Sequence, residues 1–184
     1  MKITGKHIYL KPITVNDSKF IFNLRKIKKI SLYLNNPPKK LSDQIVWVKK
    51  NITNEKTLDF IICDKNNNKK IGTIGFNDIN KSNSIAEWGR WICTGTTLQN
   101  IESAITLLDY GFNKLKFKKI YSLTNSKNKK VLNFHKRTKA KFKGEIKNKY
   151  IISGKRISAF NYEFNKGKFL NFKKRFNLMI ESIR

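Results

Sequence analysis

The stretch that decides the fold is Ser84–Tyr110, SIAEWGRWICTGTTLQNIESAITLLDY. Its first half alternates, with Ile85, Glu87, Gly89 and Trp91 set against Ala86, Trp88, Arg90 and Ile92, the period of a strand. A short polar loop follows, Thr94-Gly95-Thr96-Thr97. Apolar residues at Ile101, Ala104, Ile105, Leu108 and Phe112 then fall at spacings of three and four, which predicts a helix with one buried face. A strand entering a helix through a tight loop aims the helix's unpaired N–H groups at the space above the loop, a place suited to an anion. The same geometry also joins strands to helices that bind nothing.

Working outward, His7–Ile13 reads as an opening strand, and Asn16-Asp17-Ser18 offers caps for a helix carrying Phe20, Ile21, Leu24 and Ile27. Asn35-Asn36-Pro37-Pro38 breaks the chain. A second helix begins near Ser42 with Ile45, Val46, Val48 and Ile52 as its apolar face and Trp47 beside it. Thr57–Cys63 and Ile71–Ile79 form a hairpin across Asp64–Asn68. After the central helix come a short strand at Ile120–Thr124 and a helix over Lys127–Arg137. A strand from Phe142 and another at Ile157–Phe164 complete the core elements. Lys166–Arg184 reads as a basic amphipathic helix or tail (Phe169, Leu170, Phe172, Phe176, Met179, Ile180, Ile183), for which packing on the domain is the plain expectation. There is no internal repeat and no linker that splits the chain. Residues 1–165 therefore read as one domain and 166–184 as its tail.

With 184 residues and 39% apolar content, the chain can bury a core. No apolar run approaches the ~18 residues of a membrane span, and the N-terminus lacks the apolar core of a secretory signal, so a cytoplasmic protein is expected. Cys63 and Cys93, both in strands, fit buried thiols in a reducing compartment, and only His7 and His135 could join them on a metal, so no metal is expected. The formal charge of +28 comes from 40 Lys and Arg against 12 Asp and Glu. Such a chain attracts polyanions. The cations are nearly all lysine and lie scattered, without zinc-finger spacing, Gly-aromatic RNA motif or recognition-helix pattern. Nucleic acid is therefore not expected as the main partner.

The order β-α-α-β-β-β-α-β-α-β-β, read with particular residues, resembles the GCN5-related N-acetyltransferase (GNAT) family over about residues 7–165. The opening Ile8-Tyr9-Leu10-Lys11-Pro12-Ile13-Thr14 with Asp17 is similar to the first strand and helix of the branch that modifies ribosomal-protein N-termini and small amines. Leu24-Arg25, Leu41 and Trp47-Val48-Lys49-Lys50 resemble its acceptor-side helices. Ile71-Gly72-Thr73-Ile74-Gly75 resembles the third strand, Glu87-Trp88-Gly89-Arg90-Trp91-Ile92 the fourth, and Asn128–His135 the last conserved helix. The resemblance implies an α/β (α+β) fold: a mixed, mostly antiparallel sheet of about seven strands, its fourth and fifth splayed apart, flanked by about four helices. It also implies transfer of acetyl from acetyl-CoA to a primary amine. Within the family the amino-sugar N-acetyltransferases resemble it most, which points to a small amino sugar, free or nucleotide-linked. Acylation of a protein N-terminus and a non-catalytic binding module are the alternatives. A homodimer is possible.

One stretch departs from the family. The pyrophosphate loop usually carries two glycines, and here Thr96-Thr97-Leu98-Gln99-Asn100-Ile101 has neither. Glycine lets backbone approach a phosphate closely, and Gln99 and Ile101 are expected to crowd that approach. Gly95 and the hydroxyls of Thr94, Thr96 and Thr97 offer a substitute cradle, with Lys127, Lys129 and Lys130 nearby.

Carried over residue by residue, the resemblance assigns Glu87 as the base that takes the acceptor's proton, against a strand carboxylate paired with Arg90 or a lysine. Backbone N–H groups near Trp91, Ile92 and Cys93 would polarise the acetyl carbonyl and pair with the pantetheine arm. Asn128 would bond the pantetheine amides, against a helix-start residue bonding its own backbone. His135 stands where the family has an acidic tyrosine, against a buried packing histidine. Arg25, Trp47 and Trp88 are expected on the acceptor side, the tryptophans equally as core or pocket wall. Cys93 has no adjacent base to make it a nucleophile.

Overall fold

A computed structural model describes residues 1–181 of the chain, with side chains described to residue 178. Eight strands form one sheet: β1 (Ile3–Thr4), β2 (Ile8–Pro12), β3 (Leu58–Asp64), β4 (Lys70–Asn80), β5 (Ile85–Cys93), β6 (Lys119–Asn125), β7 (Lys141–Ile152) and β8 (Lys155–Phe164). Their order across the sheet is β1-β2-β3-β4-β5-β6-β8-β7. Every pair is antiparallel except β5 and β6, which run parallel. The helices are α1 (Ser18–Lys26), α2 (Lys28–Ser31), α3 (Leu41–Ile52), α4 (Thr97–Asn113), α5 (Lys129–Arg137) and α6 (Lys166–Glu181). The mixed, mostly antiparallel sheet matches the expectation. The extra pieces are the two-residue β1 and the single turn of α2, while α6 is the helix read over the basic tail.

β5 and β6 pair only over Ile85–Glu87 with Lys119–Tyr121. Beyond Glu87 they part, although β5 stays bonded to β4 as far as Cys93. The gap is the family's expected splay.

Two cores flank the sheet. Ile8, Leu10, Phe60, Phe76 and Trp88 pack with Leu107, Leu108 and Phe112 of α4 on one face, and Phe134 of α5 joins them. Ile61 and Cys63 pack with Ile21 of α1 and Val48 of α3 on the other. Gly111 is required where α4 crosses the sheet, since a Cβ there would lie 2.7 Å from Phe76 and 2.8 Å from Ile120. The charged tail packs on the first face: Phe169 stacks near Phe112 (centroids 5.6 Å) and Phe176 is also buried. Burying two phenylalanines stabilises the docked helix by about 3–6 kcal/mol as an upper estimate. Leu170 is partly exposed, while the side chains of Met179 and Ile180, and all of Ile183, lie outside the described residues.

α3 departs from its expected apolar face. Val46 and Ile52 are exposed, and Gln44, Val48 and Asn51, at i, i+4 and i+7, are buried. Asn51 turns inward because it bonds a sheet residue described below. Polarity here follows the site, not the periodicity of apolar residues.

Candidate active site

The strand alternation read from Ser84–Tyr110 breaks at Arg90. Its φ is +53°, in the left-handed region that non-glycine residues seldom occupy. β4 and β5 pair Gly75 with Gly89 and Thr73 with Ile92, so one residue more sits on β5 than on β4 between those pairs. This is a β-bulge, and it reverses the parity of everything after it. Trp88 and Trp91 therefore share one face, with Ala86 and Cys93, against α4 and α5. Trp91 Nε1 donates to Ser103 Oγ of α4 at 3.1 Å.

Arg90, expected on the same side as Trp88, stands on the opposite face. Its Nη1 donates to Asn51 Oδ1 (2.8 Å) and forms an ion pair with Asp59 Oδ2. The guanidinium lies over the Trp47 ring, 5.0 Å from the centroid. Thr73 Oγ1 closes the bulge by donating to the Arg90 carbonyl at 3.0 Å. The glycines of Ile71–Gly75 have a structural reason: a Cβ on Gly72 would lie 2.2 Å from the Ile92 carbonyl, and one on Gly75 2.2 Å from Asp59 Oδ1.

Where β5 and β6 part, a cavity of about 380 Å³ opens. Glu87, Gly89, Arg90, Trp91 and Ile92 line it from β5, and Ser122–Asn125 from β6. Arg25, Tyr33 and Trp47 reach it from the helical side, Asn128 from the start of α5, and Tyr150 from β7. Glu87 is half-buried. Burial raises its carboxyl to about 7, with the charge of Asp78 adding to the rise, against hydrogen bonds from Asn77 and the Leu123 backbone and the charge of Lys149. A carboxylate near 7 is matched to taking a proton at neutral pH. It pairs with neither Arg90 nor a lysine among the described residues, so the ion-pair alternative for it does not hold.

Asn128 does two things. Its Oδ1 accepts from Val131 N (3.3 Å) as the cap of α5, and it lines the cavity, its side-chain nitrogen without a partner among the described residues. Tyr150 was not legible in the sequence as a site residue. It comes from an exposed hairpin, and its hydroxyl donates to the Leu123 carbonyl at 2.7 Å, with burial raising its phenol to about 12.

Two expectations are corrected. His135 is fully buried and does not line the cavity. It stacks on Tyr162 (centroids 4.5 Å), and its Nε2 lies 2.8 Å from Thr124 Oγ1 and 3.1 Å from Ser122 Oγ. Burial drives its pKa down to about 3, so it is a neutral packing residue and not the site's acid. Trp88 borders the cavity, but its indole is buried among Trp91, Phe134, His135 and Phe164; it is core, not an acceptor contact.

The Thr94–Ile101 loop lies outside the cavity, at the start of α4. Thr94 bonds the Ile71 carbonyl through both N (2.7 Å) and Oγ1 (2.9 Å). Thr96 and Gln99 cap each other: Gln99 N donates to Thr96 Oγ1 (3.2 Å) and Thr96 N to Gln99 Oε1 (3.0 Å). Gln99 Nε2 continues to Asp64 (2.9 Å), Asn100 Nδ2 turns back to the Gly95 and Thr96 carbonyls, and Ile101 packs against the core. Two hydroxyls of the expected cradle are therefore spent, that of Thr96 on the helix's own cap and that of Thr94 on the Ile71 carbonyl, while that of Thr97 has no partner among the described residues. The expected crowding is relieved for the same reason, because the large side chains are tied down. The first-turn N–H groups of Thr97 and Leu98 remain without partners among the described residues, two donors with the helix dipole behind them. With the splayed strands beside it, this end of the fold fits a long thiol cofactor bearing a pyrophosphate.

The acetyltransferase (GNAT) domain family matches residues 7–141. Among solved structures, a GCN5-related N-acetyltransferase from Brucella melitensis superposes with a TM-score of 0.84 at 16% identity, over 97% of this chain and 84% of that one. The apo form of FdhC, a nucleotide-linked sugar GNAT, gives 0.78 at 25% identity, over 96% and 97%. A spermidine N-acetyltransferase variant from Vibrio cholerae gives 0.76 at 21%, over 91% and 98%. No curated protein matches the sequence. No helix among the described residues is long and apolar enough to cross a membrane. The chain belongs to the GNAT acetyltransferase family, as an N-acetyltransferase that uses acetyl-CoA as its acetyl donor.

Proposed function

We propose that the acceptor is the primary amine of a small amino sugar, carried on a nucleotide. The observation that carries the reading is Glu87: a half-buried carboxyl held near neutrality at the point where β5 and β6 diverge. Bound acetyl-CoA supplies an activated thioester in that gap. Glu87 takes the proton from the acceptor ammonium, directly or through water; the freed amine forms the N–C bond as the thioester C–S bond breaks, and the second amine proton leaves with the sulfur as coenzyme A thiol. The β5 backbone from Gly89 to Cys93, free on its β6 side, offers N–H groups to the acetyl carbonyl and the pantetheine arm. Asn128 binds the arm's amides from α5, and the Thr97 and Leu98 N–H groups hold the pyrophosphate.

A polyamine acceptor is less well supported. Such a ligand needs several unpaired carboxylates, and of the two acids facing this cavity Asp59 is already paired with Arg90. FdhC, described as a nucleotide-linked sugar GNAT and similar to this chain over nearly its whole length, supports the sugar reading.

The test is product analysis by mass spectrometry with acetyl-CoA and three acceptor classes: nucleoside-diphosphate amino sugars, spermidine, and peptides with ribosomal-protein N-termini. Acetylation confined to the first class is expected. Faster turnover of either other class would replace this reading with that class, and no acetyl-CoA binding by calorimetry would remove catalysis altogether.

A further inference from the structure

Arg25 and Arg90 line the same cavity, but only one of them has a carboxylate. Arg90 is held by Asp59 and Asn51. Arg25 forms no ion pair among the described residues. Its Nη2 donates to the carbonyls of Asn35 (3.1 Å) and Asn36 (3.3 Å), in the segment between α2 and α3, and its Nε and Nη1 donate to nothing among the described residues. Backbone carbonyls orient a guanidinium without neutralising it. Tyr33 and Trp47 line the same cavity and add flat surface to it.

Burial disfavours the charge on Arg25, and the like charge of Arg90 disfavours it further. A cation that is desolvated, repelled and unpaired is costly unless something anionic arrives. Guanidinium is the side chain whose planar fork suits phosphate.

We propose that Arg25 forms an anion subsite in the acceptor half of the cavity, reading a phosphate oxygen of the acceptor. This rests on the amino-sugar reading and sharpens it: the phosphate, not the sugar alone, is what the site selects. Tyr33 and Trp47, which line the same cavity, are then available to border the group attached to that phosphate. No lysine lines this cavity among the described residues, so none supplies the same function there.

The experiment uses one amino sugar in three forms: free, as its 1-phosphate, and as its nucleoside-diphosphate conjugate. Wild-type protein is expected to prefer the phosphorylated forms in kcat/KM. Arg25→Gln is expected to raise KM for those two roughly ten- to a hundredfold, the scale of one charge-assisted hydrogen-bond pair, and so to collapse the kcat/KM preference for phosphorylated over free sugar. Arg25→Lys keeps the charge and restores part of the loss. An equal loss for all three forms, or none, overturns the proposal, and circular dichroism shows whether the variants are folded. A second arm needs no turnover: uridine diphosphate is titrated by calorimetry into protein saturated with coenzyme A. Binding that weakens in Arg25→Gln supports the subsite. Absent binding, or equal binding in both proteins, overturns it. If no amino sugar is acetylated yet the diphosphate binds through Arg25, the sugar assignment fails and the anion subsite stands.

Discussion

Trp88 and Trp91 are three residues apart in a strand, and their rings nonetheless lie on one face with centroids 5.4 Å apart. Alternation would place them on opposite faces. The left-handed Arg90 between them makes the difference, and the same residue ties β5 to α3 through Asn51 and to β3 through Asp59.

Replacing Arg90 is therefore expected to cost stability before it costs chemistry. Arg90→Ala strands the buried Asp59 carboxylate, and removing one partner of such a pair costs about 3–5 kcal/mol. Urea denaturation measures it. The double variant Arg90→Ala with Asp59→Leu should recover a large part of the loss, whereas simple additivity of the two losses would contradict the coupling.

Glu87→Gln is expected to lower kcat by roughly 10²–10⁴-fold, the usual contribution of a general base. The wild-type rate should climb with pH through about 7, where Glu87 loses its proton, and then level. The variant should lack that limb. Stability moves the other way. Because folding raises the Glu87 pKa from 4.5 to about 7, the folded state loses stability as pH rises across that window and is flat above it. Glu87→Gln should thus be more stable than wild type at pH 8, by on the order of 2 kcal/mol, and nearly equal to it at pH 4.

His135→Phe tests the reassigned histidine. It leaves the Ser122 and Thr124 hydroxyls without their ring partner, a loss of about 1–3 kcal/mol in unfolding free energy. The pH–rate profile should keep its shape, since no proton passes through a neutral buried ring. In the wild type, stability contributed by His135 is full above pH 6.5. It falls as pH drops toward 3, because the unfolded imidazole takes up a proton that the folded one refuses. That slope should vanish in the variant.

Thr96→Ala removes the cap that Gln99 shares. A drop of about 1 kcal/mol is expected from thermal or chemical unfolding. If the loop held phosphate by its hydroxyls, the acetyl-CoA dissociation constant would also rise tenfold or more. With Thr96 spent on the helix itself, a change under threefold is expected.

The sequence by itself determined the order of the elements, the helix of Thr97–Asn113 and the place of Glu87, because these depend on periodicity, capping residues and motifs that are local. It also placed Asn128 at a helix start, where it caps α5 and lines the cavity. Tertiary structure decided the rest. The face of every residue after Gly89 depended on a bulge that pairing with β4 imposes, which no count along β5 alone reveals. The burial of Asn51 on α3 depended on a partner three elements away, Arg90 of β5. Tyr150 entered the site from a remote hairpin, and His135 left it, because neither side chain's burial is fixed by its neighbours in sequence. The loop of Thr94–Ile101 shows both sides: its missing glycines were plain to read, but only the hydrogen bonds that tie Gln99 and Asn100 down show why the helix start remains open.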